Sequence, residues 1–184
     1  MKLLIKDTPA LLYRNGTFIV EKTNVATQDE LIKYVGDIPD DFKADRVFGG
    51  EDRFLIPGLI NSHTHSYMTI FRNYADDLLF DDWLFGRISP KEDSMTPEDA
   101  YAPSLLAFAE MMKSGTTTFV DMHMFENQSC EAALRTGIRG VITRGLAGGD
   151  DEGGHRRLDE AIREMERYAG EPTLSFMFGP HAIY

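Results

Sequence analysis

Two histidines separated by one residue, His63 and His65, are the side chains whose types and spacing point most directly to chemistry. They close a segment in which Pro57-Gly58 and a short apolar stretch lead into Asn61-Ser62-His63-Thr64-His65. Residues two apart on a β-strand project to the same face, so both imidazoles are expected to enter one cavity. Converging imidazoles suit Zn²⁺, with Fe²⁺ as the alternative. The pattern predicts one divalent metal bound at a strand end.

The segments that must position these histidines alternate between apolar strand patterns and helical patterns, which is typical of a parallel sheet with crossover helices. Because barrel active sites lie at the carboxyl ends of strands, the histidines sit where such a site is expected. Thr96-Pro97-Glu98-Asp99 predicts a helix start, with Leu105, Phe108, Ala109 and Met112 on its core face. Strands are predicted over 59–62, 116–122, 140–146 and 174–179, and further helices over 130–136 and 158–168, the last after a Gly-rich loop at 148–154.

The first 56 residues have a different pattern, with short apolar segments separated by turns. Asn15-Gly16 predicts a hairpin, and 53–56 is interpreted as a strand. Two domains follow: 1–56 as the N-terminal part of a small β domain, and 57–184 as the first half of a (β/α)8 barrel. Four strands are about half of a barrel that typically takes ~250 residues. The sequence is therefore expected to be truncated.

Several motifs of this chain resemble the amidohydrolase superfamily, in its cytosine-deaminase-like and chlorohydrolase-like branch. The chain is most similar to the S-adenosylhomocysteine/5′-methylthioadenosine deaminases of that branch. The resemblance implies an α/β fold, the N-terminal half of a (β/α)8 TIM-type barrel preceded by part of a small β-sandwich. It is carried, in order, by PGLINSHTH from Pro57, Asp82-Trp83-Leu84, Pro90-Lys91-Glu92, Gly115-Thr116-Thr117-Thr118, Thr143-Arg144-Gly145-Leu146 and Gly179-Pro180-His181-Ala182.

The same resemblance implies roles for individual residues. His63 and His65 would be metal ligands. Glu92 would accept hydrogen bonds from two ribose hydroxyls, although a lone glutamate of this kind is also typical of a solvated loop. His181 would contact a purine ring nitrogen. Trp83 would line the pocket, with simple core packing as the alternative.

Arginines would bind a terminal carboxylate of the substrate, since a planar guanidinium binds carboxylates through two hydrogen bonds. The resemblance implies Arg144 and one member of Arg156-Arg157. Counting from the strand favours Arg156, whereas the pattern Arg157-Leu158-Asp159-Glu160 favours Arg157, which we prefer. A salt bridge within the fold fits Arg144 equally well. His123, after the second barrel strand, is expected to be structural or to support the site from behind.

The implied activity is hydrolytic deamination of an adenine nucleoside such as S-adenosylhomocysteine or 5′-methylthioadenosine, with release of ammonia. Alternatives are a related hydrolase of guanine, cytosine or a chlorotriazine ring, and a catalytically incomplete metal-binding or assembly protein. The third histidine ligand, the general acid/base glutamate and a late aspartate would follow residue 184. The 184 residues alone are therefore expected to be inactive.

Composition limits the partners. A formal net charge of -11 argues against a general nucleic-acid surface, which needs clustered Lys and Arg. The single cysteine, Cys130, excludes a disulfide within the sequence and favours a reducing compartment. No stretch approaches 18 uninterrupted apolar residues, so no membrane span is expected. We expect a cytoplasmic protein with a small-molecule substrate; homo-oligomerisation stays open.

Overall fold

The computed structural model describes residues 1–148 and 151–182. The chain forms two compact units, Met1–Pro57 and Gly58–Tyr184. Residues 149 and 150 of the Gly-rich loop, and 183 and 184 at the end of the expected barrel segment, lie outside the described residues. No helix in the described ranges is long and apolar enough to cross a membrane.

The first unit is a four-stranded sheet in which the predicted hairpin is confirmed. Asn15 and Gly16 have positive φ angles of 52° and 83°, as the favoured two-residue hairpin turn requires. The strand predicted over 53–56 is wrong: only Leu55 forms a bridge, to Ala10, and Pro57 has no N–H to continue pairing. The strands are β1 (Lys2–Arg14), β2 (Thr17–Gln28), β3 (Leu31–Val35) and β4 (Arg46–Gly49), in the order β3-β2-β1-β4.

The second unit is built on parallel strands that follow one another in sequence order. Gly58 is required where they begin, because a Cβ there would collide with the side chain of Thr117 on the neighbouring strand. The predicted fourth strand is interrupted at Met177, and both of its pieces pair with the third strand. The strands are β5 (Leu59–Thr64), β6 (Thr116–His123), β7 (Arg139–Ala147), β8 (Leu174–Phe176) and β9 (Gly179–Ala182).

Three longer helices are α1 (Pro97–Lys113), α2 (Glu126–Thr136) and α3 (Glu152–Arg167). The backbone N–H of Thr96 donates to the Asp99 carboxylate at 2.8 Å, which secures the predicted start of α1. Both α2 and α3 begin earlier than predicted, because their first turns are polar and the apolar pattern starts only later. Asp151 caps α3 by accepting a hydrogen bond from the Gly154 N–H at 2.6 Å. Gly137 ends α2 in the left-handed conformation, with a φ of 77°.

The buried face of α1 differs from the prediction. Phe108 is buried as expected and stacks on Phe119 of β6 with ring centroids 4.3 Å apart. Ala107 is also buried, whereas Ala109 is exposed and Met112 is 44% exposed. The helix therefore turns the 104–107–108 side towards the core. Two helical segments between β5 and α1 were not predicted from the sequence: the 3₁₀ helix Ser66–Phe71, and a continuous stretch made of Phe80–Trp83, the π-helical Leu84–Ile88 and Ser89–Glu92.

Candidate active site

The carboxyl ends of the parallel strands bring most of the predicted functional residues to one edge of the sheet. Thr64 of β5 pairs with Asp121 of β6, and His123 of β6 pairs with Arg144 of β7. Gly145 pairs in turn with Gly179, two residues before His181. Parallel pairing aligns these strand ends, so residues from distant parts of the sequence meet at one place.

The two predicted metal-ligand histidines are neighbours. The ring centroids of His63 and His65 are 4.9 Å apart, and the rings are nearly perpendicular at 87°. His63 is exposed at the end of β5, and His65 is half-buried immediately after it. The Nδ1 atom of His65 lies 2.7 Å from the carbonyl oxygen of Met122. Since a carbonyl only accepts, Nδ1 carries the proton, and the neutral ring keeps its lone pair on Nε2.

Coordination by this pair alone would be incomplete. In the part of the chain that the structure describes, no group of three or more His, Cys, Asp or Glu side chains is arranged to hold a metal ion. Structural and catalytic zinc sites use three or four protein ligands. His63 and His65 therefore form a two-ligand arrangement.

A buried polar cluster fixes the backbone directly after His65. Asp121, only 1% exposed, accepts a hydrogen bond from the Ser66 N–H at 2.8 Å and one from the Ser129 hydroxyl at 2.6 Å. The Ser66 hydroxyl also donates to Asp121 and lies 3.0 Å from the Ser104 hydroxyl. Burial raises the pKa of Asp121, while these hydrogen bonds act in the opposite direction. The cluster ties β5 to β6, α1 and α2 one residue beyond the histidine motif.

One cavity of about 360 Å³ gathers the predicted substrate-binding residues. Its walls include apolar side chains, such as Phe80 and Leu84, beside a small number of convergent polar groups. That combination is typical of small-molecule sites. The predicted residues that line it are His65, Trp83, Glu92, Arg144, Arg157 and His181.

Glu92 faces this cavity and is held by a tyrosine. The Tyr67 hydroxyl donates to Glu92 Oε1 at 2.9 Å. Burial raises the pKa of Glu92, while the hydrogen bond from Tyr67 opposes that rise. One oxygen of the carboxylate is thus engaged within the chain, and further lone pairs are available to a ligand.

The guanidinium of Arg144 is engaged by carboxylates of the fold. Its Nε and Nη2 atoms donate to Glu160 at 3.0 and 2.9 Å, and its Nε lies 3.7 Å from Glu126. Its Nη1 donates to the carbonyl of His123 at 3.2 Å. Arg144 is 7% exposed, so these contacts use most of its donors in a buried setting. In this structure Arg144 therefore forms a salt bridge within the fold, which was the alternative to substrate binding.

The two consecutive arginines of α3 point to different surroundings. Arg157 lines the cavity, and its Nη1 donates to the carbonyl of Ala147 at 3.1 Å. Arg156 has a side chain 66% exposed and lies 3.8 Å from Glu160, one turn further along the helix. Of the two, Arg157 is the one placed to meet a ligand in the cavity.

Tyr67 also lines the cavity and was not predicted from the sequence; His123, expected to be structural or to support the site, lies beside it. Tyr67 is fully buried, and its ring centroid lies 3.4 Å from that of His123. His123 Nε2 is buried without a hydrogen-bond partner among the described residues, and burial lowers the pKa of this imidazole, which keeps it neutral. Tyr67 carries a signal in hindsight, because it extends the alternation of His63 and His65, just as His123 extends the alternation from Asp121.

Curated relatives share both units of the chain. A 5-methylthioadenosine/S-adenosylhomocysteine deaminase of Thermoanaerobacter pseudethanolicus is 40% identical over 190 residues, which cover 100% of this chain and 43% of the relative. A protein of the same name from Desulfitobacterium hafniense is 42% identical over 165 residues, or 87% of this chain and 38% of the relative. The chain thus spans about two-fifths of the length of these relatives.

Solved structures show the same fold. An adenosine deaminase from Xanthomonas campestris, with bound zinc, matches with a TM-score of 0.83 and 27% identity, over 96% of this chain and 42% of that one. A guanine deaminase from C. acetobutylicum matches with a TM-score of 0.78 at 15% identity, over 98% and 46%, a likeness of fold alone. These matches confirm the expected fold class, with part of a (β/α)8 barrel as the second unit. The amidohydrolase family model matches residues 54–183, well over half of the sequence, and the chain belongs to the amidohydrolase family.

Proposed function

We propose that the complete protein is a metal-dependent hydrolase that deaminates adenine nucleosides such as S-adenosylhomocysteine or 5′-methylthioadenosine. The observation that carries the proposal is the single cavity in which Glu92, His181 and Arg157 meet His65. The names of the relatives that are about 40% identical support it. Because the chain spans only 43% of such a relative, the activity is proposed for the complete protein.

The histidine pair fits one divalent metal, with Zn²⁺ as our first choice and Fe²⁺ as the alternative. The fit rests on the contact of His65 Nδ1 with Met122, which leaves Nε2 as the donor atom, and on the adjacent ring of His63. The zinc in the similar adenosine deaminase supports the choice. When bound, such a metal supplies hydroxide at neutral pH by lowering the pKa of water from about 15.7 towards about 7.

The nucleoside would be recognised by groups with different chemistry. Glu92 would accept hydrogen bonds from the ribose hydroxyls, and His181 would contact a ring nitrogen of the purine. Trp83 and Phe80 would pack against the apolar part of the substrate, since both line the cavity. Together they would hold the adenine ring with C6 towards the histidine pair and exclude bulk water from it.

A carboxylate at the far end of the substrate would be bound by Arg157. One hydrogen bond, to Ala147, engages its guanidinium, which has five donors in all. Both Nε and Nη2 of Arg144 already contact Glu160 Oε2, so we assign Arg144 first to shaping the cavity wall and the position of α3. Contact between Arg144 and the substrate carboxylate remains the prediction from family resemblance.

The reaction consumes one water and replaces the C6 amino group of adenine by oxygen, with ammonia as the second product. Proton transfer needs a general acid/base group near the reacting atoms. We assign that role to none of the residues in the described ranges. We propose that this part of the protein binds the metal and the ribose, base and carboxylate of the substrate, and fixes their relative positions.

A substrate panel tests the proposal. Ammonia release by the complete, zinc-loaded protein is measured with S-adenosylhomocysteine, 5′-methylthioadenosine, guanine, cytosine and a chlorotriazine. We expect the two adenine nucleosides to be deaminated with the highest kcat/KM. Preference for a free base or a triazine would replace the proposed substrate class, and metal binding without turnover on any of them would favour a non-catalytic metal-binding protein.

A further inference from the structure

We propose that Tyr67 is a positioning residue for Glu92: its hydroxyl holds one carboxylate oxygen so that the other faces the ribose diol of the nucleoside. This inference rests on the proposed function and deepens it, because it assigns ribose selectivity to a residue pair rather than to Glu92 alone. Tyr67 acts through Glu92 and has no contact with the reacting atoms in the proposal.

The first support is the way the fold immobilises Tyr67. The residue lies in the short 3₁₀ helix Ser66–Phe71, two positions after His65, and is 0% exposed. Its ring lies against His123, at 3.4 Å between centroids, and meets Phe125 edge-on at 5.2 Å. A tyrosine has only two side-chain torsions, so packing on both sides fixes where its hydroxyl points.

The second support is the need of Glu92 for an anchor. Glu92 is the last residue of a continuous helical stretch that runs from Phe80 through the π-helical segment Leu84–Ile88 to Glu92. The last turn of a helix lacks intrahelical partners for its carbonyl groups, and the negative end of the helix dipole disfavours a carboxylate there, so a contact from outside the helix is needed to fix Glu92. The contact of Tyr67 with Glu92, at 2.9 Å, ties this stretch to the residues that follow the histidine motif.

The third support is the direction of that hydrogen bond. A carboxylate has only acceptor lone pairs, so the Tyr67 hydroxyl is the donor in this contact. Glu92 Oε1 accepts from it, and Oε2 remains for a ligand hydroxyl. A carboxylate held in this way loses less freedom on binding the diol than one that must be ordered by the substrate.

The test compares a ribonucleoside with its dideoxy analogue. In the complete zinc-loaded protein, Tyr67→Phe keeps the ring and removes only the hydroxyl. Tyr74→Phe is the matched control, since that ring is 45% exposed and packs on Phe71. We measure kcat and KM for S-adenosylhomocysteine and for its 2′,3′-dideoxy analogue, together with zinc bound per chain.

We expect Tyr67→Phe to raise KM for the ribonucleoside about tenfold, with little change in kcat, because the hydrogen bonds of the diol to charged Glu92 are weakened. KM for the dideoxy analogue and the zinc content should stay at wild-type values, and Tyr74→Phe should match the wild type throughout. In a Glu92→Gln background the effect of Tyr67→Phe should largely disappear, as a double-mutant cycle requires of a coupled pair.

If Tyr67→Phe raised KM equally for the ribonucleoside and the dideoxy analogue, or left both KM values at the wild-type level, the positioning role would be overturned. The proposed function would remain intact in either case. A wild-type protein that deaminates neither nucleoside would overturn both. A readout independent of the folding of Tyr67→Phe is the NMR signal of tyrosine phenol carbons labelled with ¹³C. Glu92→Gln should move one tyrosine signal, whereas the neighbouring Asp93→Asn should move none; unchanged signals in Glu92→Gln would refute the hydrogen bond.

Discussion

His65 donates its Nδ1 proton to the backbone carbonyl of Met122 across 2.7 Å. This contact joins the end of β5 to the end of β6 and sets the tautomer of the imidazole. The nitrogen that remains unprotonated, Nε2, is the one a metal needs. A backbone contact of this kind depends on strand register, so the fold itself prepares the donor atom.

The two ring nitrogens of His65 can be separated by mutation. Asparagine places its amide nitrogen near the Nδ1 position, so His65→Asn should retain the hydrogen bond to Met122 but lose the metal donor. We expect zinc affinity to fall at least about tenfold, with a Tm of the metal-free protein close to wild type. His65→Ala should lose both affinity and stability. Calorimetric zinc titration and thermal melting provide the readouts; wild-type zinc affinity in His65→Asn would contradict the assignment.

Asp121 should stabilise the turn after the histidine motif. Asp121→Ala leaves the Ser66 N–H and the Ser129 hydroxyl without their buried acceptor, and each such loss costs about 1–3 kcal/mol. Asp121→Asn keeps an acceptor for Ser66 and is the matched control, with a smaller loss. Urea unfolding of the metal-free protein measures both. Equal stability of the alanine and asparagine variants would show that the hydrogen bonds contribute little.

Glu126 should make stability depend on pH. Burial raises the pKa of Glu126 from its ordinary value of 4.5 to about 8, although Arg144 partly opposes the shift. The folded state therefore binds this proton more tightly than the unfolded state, and the free energy of unfolding contributed by Glu126 falls as pH rises from about 4.5 to about 8.

A pKa difference of one unit corresponds to about 1.4 kcal/mol, so the contribution amounts to a few kcal/mol. Glu126→Gln should flatten the dependence of stability on pH between about 5 and 8. The exposed Glu166→Gln should leave the dependence unchanged. Urea unfolding at several pH values measures the slope, and an unchanged slope in Glu126→Gln would refute the raised pKa.

Substitution by methionine should have different effects at the two cavity arginines, Arg157 and Arg144. Arg157→Met should lower kcat/KM for S-adenosylhomocysteine about ten- to a hundredfold, since a charge-assisted hydrogen bond contributes about 1.5–3 kcal/mol. It should leave 5′-methylthioadenosine, which has no carboxylate, nearly unchanged. The exposed Arg156→Met is the control and should affect neither substrate.

Arg144→Met should act mainly on stability. It removes the buried cation that contacts Glu160 Oε2 at 2.9 Å, and breaking a buried ion pair costs on the order of 3 kcal/mol. We expect a lower Tm, and similar losses of kcat/KM with both nucleosides. A selective loss with S-adenosylhomocysteine at an unchanged Tm would instead show that Arg144 binds the substrate carboxylate directly.

Local patterns predicted those parts of the fold that depend on local chemistry. Asn15-Gly16 and Thr96-Pro97 indicate a turn and a helix start because their backbone preferences act without tertiary contacts. The break in the strand over 174–179 could not be predicted in this way. It depends on pairing with β7 and on the close approach of Gly179 to Thr143, which are set by the sheet.

In the candidate active site too, features set by local sequence were predicted and features set by tertiary contacts were not. The spacing of His63 and His65 predicts two rings on one side, because alternation is a property of the strand itself. The partners of Arg144 were not predicted, since Glu126 and Glu160 belong to two different helices that meet only in the folded chain. Tyr67 was missed because nothing in the sequence between 67 and 92 indicates that the two positions touch.

Metal dependence of ammonia release is the measurement that tests the central claim most directly. The complete protein is assayed with 5′-methylthioadenosine as purified, after chelation, and after zinc is added back, beside His63→Ala and the exposed His155→Ala. We predict that chelation abolishes ammonia release, that zinc restores it in the wild type and His155→Ala, and that His63→Ala does not recover. Full activity after verified metal removal, or recovery of His63→Ala to the wild-type rate, would contradict the account.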